Sequence, residues 1–113
     1  MEYKKELMEI IDGIRPDFDV LGDFAFGGSG DVLQVNERFW RVYDAALKAR
    51  ELVEKEYPKE LADLGFDWAE MEGFRQVVSN AGPPAAFANA SLFGDYTMRL
   101  NSFFIFAQQL DRE

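Results

Sequence analysis

Apolar residues recur along this chain at the spacing of helices rather than strands, and the longest regular run is Asn36 to Tyr57. Phe39, Val42, Ala46, Ala49 and Val53 fall at steps of three and four, the stripe of an amphipathic helix. Trp40, Tyr43, Leu47 and Leu52 widen that stripe, so burial over more than one seam is expected. The opposite face pairs Glu37 with Arg41, Asp44 with Lys48 and Glu51 with Lys55. Each acid precedes its base by four residues, the order worth about 0.2–0.5 kcal/mol per pair. Asn36 is the expected N-cap, with Val35 clasping Trp40 as a hydrophobic staple. Pro58 ends the helix, because the residue before a proline is pushed out of the α region.

Shorter stretches keep the same period. Tyr3, Leu7, Ile10, Ile11 and Ile14 share one side of a first helix over residues 1–14, with Gly13 and Pro16 bracketing its end. Pro58 to Leu64 reads as a short helix closed by a left-handed Gly65. Asp67 caps the next helix, with Glu70 completing a capping box and Phe66 stapling Met71. Met71, Phe74 and Val78 face inward before Gly82-Pro83-Pro84 stops it near Asn80. Pro84 opens another short helix, PAAFANASLF, ended by Gly94. Asp95 then caps a last helix through about Leu110, striped by Tyr96, Leu100, Phe103, Ala107 and Leu110. Residues 103–107, FFIFA, are read as helix rather than buried strand, because helical spacing continues on both sides.

Asp17 to Val35 is the stretch without a helical signal. Phe24 and Phe26 would share one strand face, as would Leu33 and Val35, around the turn-like GGSGD. A small β-hairpin near residues 24–35 and a glycine-rich surface loop both remain open. The expected fold is mainly α: a compact bundle of four to six helices in a single domain, 1–113.

Composition narrows the chemistry. With 113 residues, 48% hydrophobic and 11 Phe, the chain can bury a core without disulfides or metal. It has no Cys and no His. Thiolate zinc sites, Cys nucleophiles, imidazole bases and Ser-His-Asp triads are therefore excluded, and no cofactor or metal is expected. A cysteine-free chain fits a reducing cytoplasm, the expected location. A net charge of −9 opposes direct binding to nucleic acid or to an anionic membrane. The opening MEYKKELMEIIDGIRP is charged throughout, so no secretory leader is expected, and no apolar run approaches the ~18 residues of a membrane span.

Candidate sites mostly fail on spacing. Gly27-Gly28-Ser29-Gly30 lacks the Lys of a P-loop and is flanked by Asp23 and Asp31. It also fails as a GxSxG elbow, since Asp31 stands where the final Gly must be. An EF-hand loop beginning at Asp17 would have Leu21 at a ligand position and Gly28 in place of the bidentate Glu. Glu60, Asp63, Glu70 and Glu72 raise carboxylate catalysis as a third reading, with no motif to fix a pair.

Two surface readings stand ahead of it. From Gln76 to Leu110 only Asp95 and Arg99 are charged, so Phe87, Phe93, Tyr96, Phe103, Phe104 and Phe106 are candidates for an interface. The first expectation is a non-catalytic protein-interaction module that self-associates through this aromatic third into a homo-oligomer. Asp17 to Glu37 and Glu56 to Glu72 hold eleven acids (five and six) against Lys59 alone. Asp17, Asp19, Asp23, Asp31, Glu60, Asp63, Glu70 and Glu72 would then form an acidic patch imitating a phosphate backbone. That is the alternative: a phage- or plasmid-type decoy inhibitor of a nucleic-acid-binding protein.

Overall fold

A computed structural model describes residues 2–27 and 30–110, with side chains from Lys5 onward. Met1, the Tyr3 side chain, Gly28 and Ser29 of the glycine-rich stretch, and residues 111–113 lie outside the described part. Six helices follow one another: α1 (Glu2–Gly27), α2 (Val32–Glu56), α3 (Pro58–Leu64), α4 (Trp68–Ala81), α5 (Pro83–Ala88) and α6 (Ala90–Leu110). The mainly α bundle is as expected. At about 1.5 Å per residue the 26-residue α1 is about 39 Å long, which accounts for the 40 Å long dimension of the molecule.

The hairpin near residues 24–35 is not formed. Among the described residues there is no strand. Phe24 and Phe26 belong to the end of α1, and Leu33 and Val35 to the first turns of α2. The reason is that α1 does not stop at Pro16. Leu7, Ile11, Ile14, Phe18, Leu21 and Ala25 hold steps of four and three straight across the proline, and Pro16 itself is exposed. A mid-helix proline costs about 3 kcal/mol. Beyond it, Leu21 is fully buried and Phe18, Val20 and Phe24 pack partly against the core. At about 1.5–3 kcal/mol per fully buried apolar side chain, that packing outweighs the break.

Three boundaries shift for similar reasons. Helix α2 starts four residues before Asn36, at an N-cap formed by Asp31, whose carboxylate accepts from the Leu33 amide at 2.9 Å. Asn36 instead accepts from Trp40 Nε1 at 3.1 Å, inside the helix. Helix α6 starts at Ala90, where the Asn89 side chain accepts from the Leu92 amide at 3.1 Å. Asp95 is therefore internal and pairs with Arg99 rather than capping. Gly94 is likewise a buried helical position, not a stop. Helix α5 opens at Pro83, not Pro84, and closes at Ala88. Other end signals hold: Tyr57 separates α2 from α3, Gly65 adopts φ 67° as the left-handed cap, and Asp67 accepts from the Glu70 amide at 3.2 Å.

The core runs through the whole bundle. Phe39, Val42, Ala46, Ala49 and Val53 of α2 are enclosed as their spacing predicts. Around them lie Leu7, Ile11 and Leu21 of α1, Met71, Phe74 and Val78 of α4, and Phe93, Leu100, Phe103 and Ala107 of α6. Helix α1 packs chiefly along α2 and α6, and α4 packs against α5 and α6. The Arg50 guanidinium sits 4.7 Å above the Trp68 ring and joins α2 to the start of α4.

Gly13 and Gly73 are helical positions at which a Cβ would meet nothing within 4 Å. Alanine at either is expected to raise stability by about 0.5–1 kcal/mol, seen as a higher urea midpoint with unchanged slope.

Candidate docking surface

The aromatic residues proposed for an interface are mostly inside the protein. Phe87, Phe93, Tyr96, Phe103 and Phe104 are all buried, and Phe106 is half-buried. The ring centroids of Phe74 and Phe93 stack at 5.6 Å, those of Phe87 and Phe93 approach to 4.8 Å, and Phe103 meets Trp68 edge-on at 5.0 Å. Five of these side chains fill the space between helices, while Phe106 keeps part of its surface. The correction has a simple cause: α6 lies against α1, α2, α4 and α5, so its apolar content is consumed from several sides.

What α6 leaves outside is different. Met98 is 61% exposed and Ile105, two turns further, 46%. Phe26, near the end of α1, is 64% exposed. These lie along the seam where α1 packs on α6. Phe18, Gly22, Phe26, Thr97, Met98 and Asn101 enclose a depression of about 260 Å³, with Asp19 and Asp23 on its α1 side. A second, more open hollow shares Phe26 and Met98 and reaches Leu92. Ile105 continues the seam beside Arg15, Phe18 and Asn101. Sequence reading passed over these residues because they stand off the buried stripe. The available signal was an apolar Met98 and Ile105, seven apart, on the face of α6 opposite Leu100 and Phe103.

The eight acids do not act as one patch. Asp17 is buried on the inner side of α1, where it binds Arg38 and lies 3.7 Å from Arg41 of α2. Glu70 meets Arg99 Nε at 2.9 Å, and the same nitrogen donates to Asp95 at 2.9 Å. Glu72 is held by Arg75 and accepts a 2.6 Å hydrogen bond from the Tyr43 hydroxyl. Asp31 caps α2. Asp19 and Asp23 on α1, and Glu60 and Asp63 on α3, have no ion pair among the described residues. No group of three or more acidic side chains among the described residues is placed to hold a metal ion, and Asp17, first in the broken EF-hand match, faces arginine instead.

Another hollow, of about 250 Å³, lies between α4 and α6 over Met71, Phe74, Val77 and Tyr96. Its rim is the self-satisfied Glu70–Arg99–Asp95 group. Comparison with protein-family models, curated proteins and solved structures returns no match. Among the described residues no helix is long and apolar enough to cross a membrane.

The Tyr43–Glu72–Arg75 group sets a pH dependence. Hydrogen bonds from Arg75 and then Tyr43 hold the Glu72 carboxyl down at about 2, against an ordinary 4.5. Burial, then the bond to Glu72, pushes the Tyr43 hydroxyl up to about 12 from 10.0. Folding thus favours ionised Glu72 and neutral Tyr43. Glu72's contribution is complete above pH 4.5 and is lost as pH falls through about 2. Tyr43's is complete below pH 10.0 and is lost as pH rises through about 12. Urea unfolding across a pH series is expected to show this acid decline, and Glu72→Gln is expected to flatten it. A decline of unchanged size in that variant would assign it to other carboxylates. A carboxylate held ionised in this way is an acceptor and an anchor, the opposite of the raised-pKa acid that glycoside chemistry needs.

Proposed function

We propose that this protein is a non-catalytic interaction module that docks a protein partner along the α1–α6 seam. The single observation carrying this reading is the meeting of exposed Phe26 and Met98 around one depression, continued by Ile105. Apolar side chains grouped at a helix–helix seam mark interaction sites, whereas single scattered ones do not. Self-association, first assigned to the buried aromatics, is moved by this reading to the same seam. Sedimentation equilibrium across the micromolar range, together with affinity capture from the native host, tests it against a Phe26→Ser, Met98→Ser double variant. Self-association or capture that the double variant loses supports the reading. A monomeric chain whose captured proteins are the same with and without these two side chains overturns it.

The decoy reading keeps Asp19 and Asp23 on α1 and Glu60 and Asp63 on α3, which have no ion pair among the described residues. It loses Asp17, Glu70 and Glu72, which are already answered by arginines. A decoy would show partner binding that collapses on adding salt and ignores Phe26→Ser. The carboxylate-enzyme reading is supported by no geometry among the described residues.

A further inference from the structure

The seam says more about its occupant than that it is protein. Among the described residues the chain offers no strand edge, so a partner cannot add a strand. What it offers is a groove between two packed helices, with exposed Met98 and Ile105 seven residues apart, about 10.5 Å along α6. That interval is two turns, the repeat of the apolar stripe on another helix. The groove is acidic at its Phe26–Met98 end, while Arg15 borders its Ile105 end. Asp19 and Asp23 line it, are exposed and have no ion pair among the described residues. The last turn of α1, which carries Phe26, contains no basic residue, so no side chain of that turn offsets the partial negative charge of the helix end. Leu92 and Asp95 border the other side of Phe26, and Asp95 is already paired with Arg99.

We infer that the α1–α6 seam receives a basic amphipathic helix of another protein, its apolar stripe on Phe26, Met98 and Ile105 and its Lys or Arg side chains on Asp19, Asp23 and the carbonyl end of α1. This rests on the docking reading above and names the partner's chemistry. A second copy of the chain fits less well. A two-fold pairing presents the same patch from both sides, so each copy would bring the same acidic groove on a chain of net charge −9. Complementary charge speeds encounter and rejects acidic partners, while the apolar contacts hold the complex.

The probe is a synthetic Leu/Lys peptide with Leu at i, i+3, i+4 and i+7, its affinity for the intact chain measured by fluorescence anisotropy. A scrambled peptide of equal composition and a Leu/Glu peptide are the controls. The Leu/Lys peptide is expected to bind, with the scrambled peptide at least about 10-fold weaker and the Leu/Glu peptide not binding. Asp19→Asn with Asp23→Asn is expected to weaken binding about 3- to 10-fold. Asp44→Asn with Glu51→Gln, the same charge change on the exposed face of α2, is expected to leave it unchanged. Phe26→Ser with Met98→Ser is expected to cost at least about 10-fold. All these side chains are exposed, and a melting curve like the parent's confirms folding of each variant. Equal binding of the scrambled peptide, or equal loss from the α2 variant, would show mere bulk charge and overturn the inference. A chain that ignores the peptide yet dimerises through Phe26 and Met98 would also overturn it while leaving the docking reading intact. No peptide binding together with no partner lost on Phe26→Ser, Met98→Ser would remove both.

Discussion

Phe39→Ala is expected to cost about 3–5 kcal/mol, the range for emptying a large aromatic site in a core that only partly relaxes. Phe39 is wholly enclosed, and its ring lies 5.7 Å from Phe74, 5.7 Å from Phe87 and 5.4 Å from Tyr96, centroid to centroid. Those three rings come from α4, α5 and α6, so one side chain of α2 meets three of the helices packed around it. Domains of this kind are stable by about 5–15 kcal/mol in total, so one truncation consumes a large share. Urea unfolding checks it: the midpoint should fall steeply while the slope holds. The contrast is Phe26→Ala, at an exposed position, expected within about 0.5 kcal/mol. Similar losses from both would mean that Phe26 is packed rather than presented, and the docking surface would go with it. Phe93→Ala and Phe103→Ala belong with Phe39: they should destabilise the chain itself, which separates a core role from the interface role first expected of them.

Asp17→Ala is expected to cost about 2–3 kcal/mol. Removing one member of a buried ion pair leaves the other charge stranded, which costs about 3–5 kcal/mol when both are fully enclosed. The Asp17 side chain is 11% exposed but Arg38 is 29% exposed, so water recovers part of the loss. Arg38 cannot recover all of it, because its Nε is already buried without a partner. The midpoint of thermal unfolding should fall by on the order of 10 °C. Replacing the pair together, Asp17→Leu with Arg38→Met, should restore most of the loss, since hydrophobic substitutes for a buried pair are often neutral. Asp19→Ala, two residues on and facing water on the other side of α1, should change stability by less than about 0.5 kcal/mol. A loss from Asp17→Ala no larger than that would show Asp17 to be a surface acid after all.

These two residues also show how far the linear code could be read. Phe39 was legible because burial in a helix follows from spacing alone: its neighbours at three, seven, ten and fourteen residues on are apolar. The helix ends marked by Pro58, Gly65, Asp67 and Gly82 were legible for the same reason, being backbone chemistry decided within a few residues. Asp17 was not. Its residue type argues for solvent, and the arginine that draws it inward lies 21 positions away on another helix. Pro16 misled in the same direction. The local rule against proline in a helix is sound, but it sets about 3 kcal/mol against a sum of distant contacts that no local window contains.

Five of the six interface candidates lie inside the chain for a geometric reason. An apolar run declares that side chains leave water, not what they leave it for. Phe93 and Phe103 found partners within the chain, while Met98 and Ile105, on the same helix, did not.

The order of residues was therefore sufficient for the helical class, the inner stripe of α2, most helix ends, and the exclusion of thiol and imidazole chemistry, since each depends on residue identity or on spacing within a few turns. Packing in three dimensions alone brought Asp17 to Arg38 and Glu70 to Arg99, carried α1 through its proline, and left Phe26 and Met98 outside while enclosing most of the C-terminal rings. Those outcomes are contests between segments far apart in the chain, and only the assembled bundle sets their contact energies side by side.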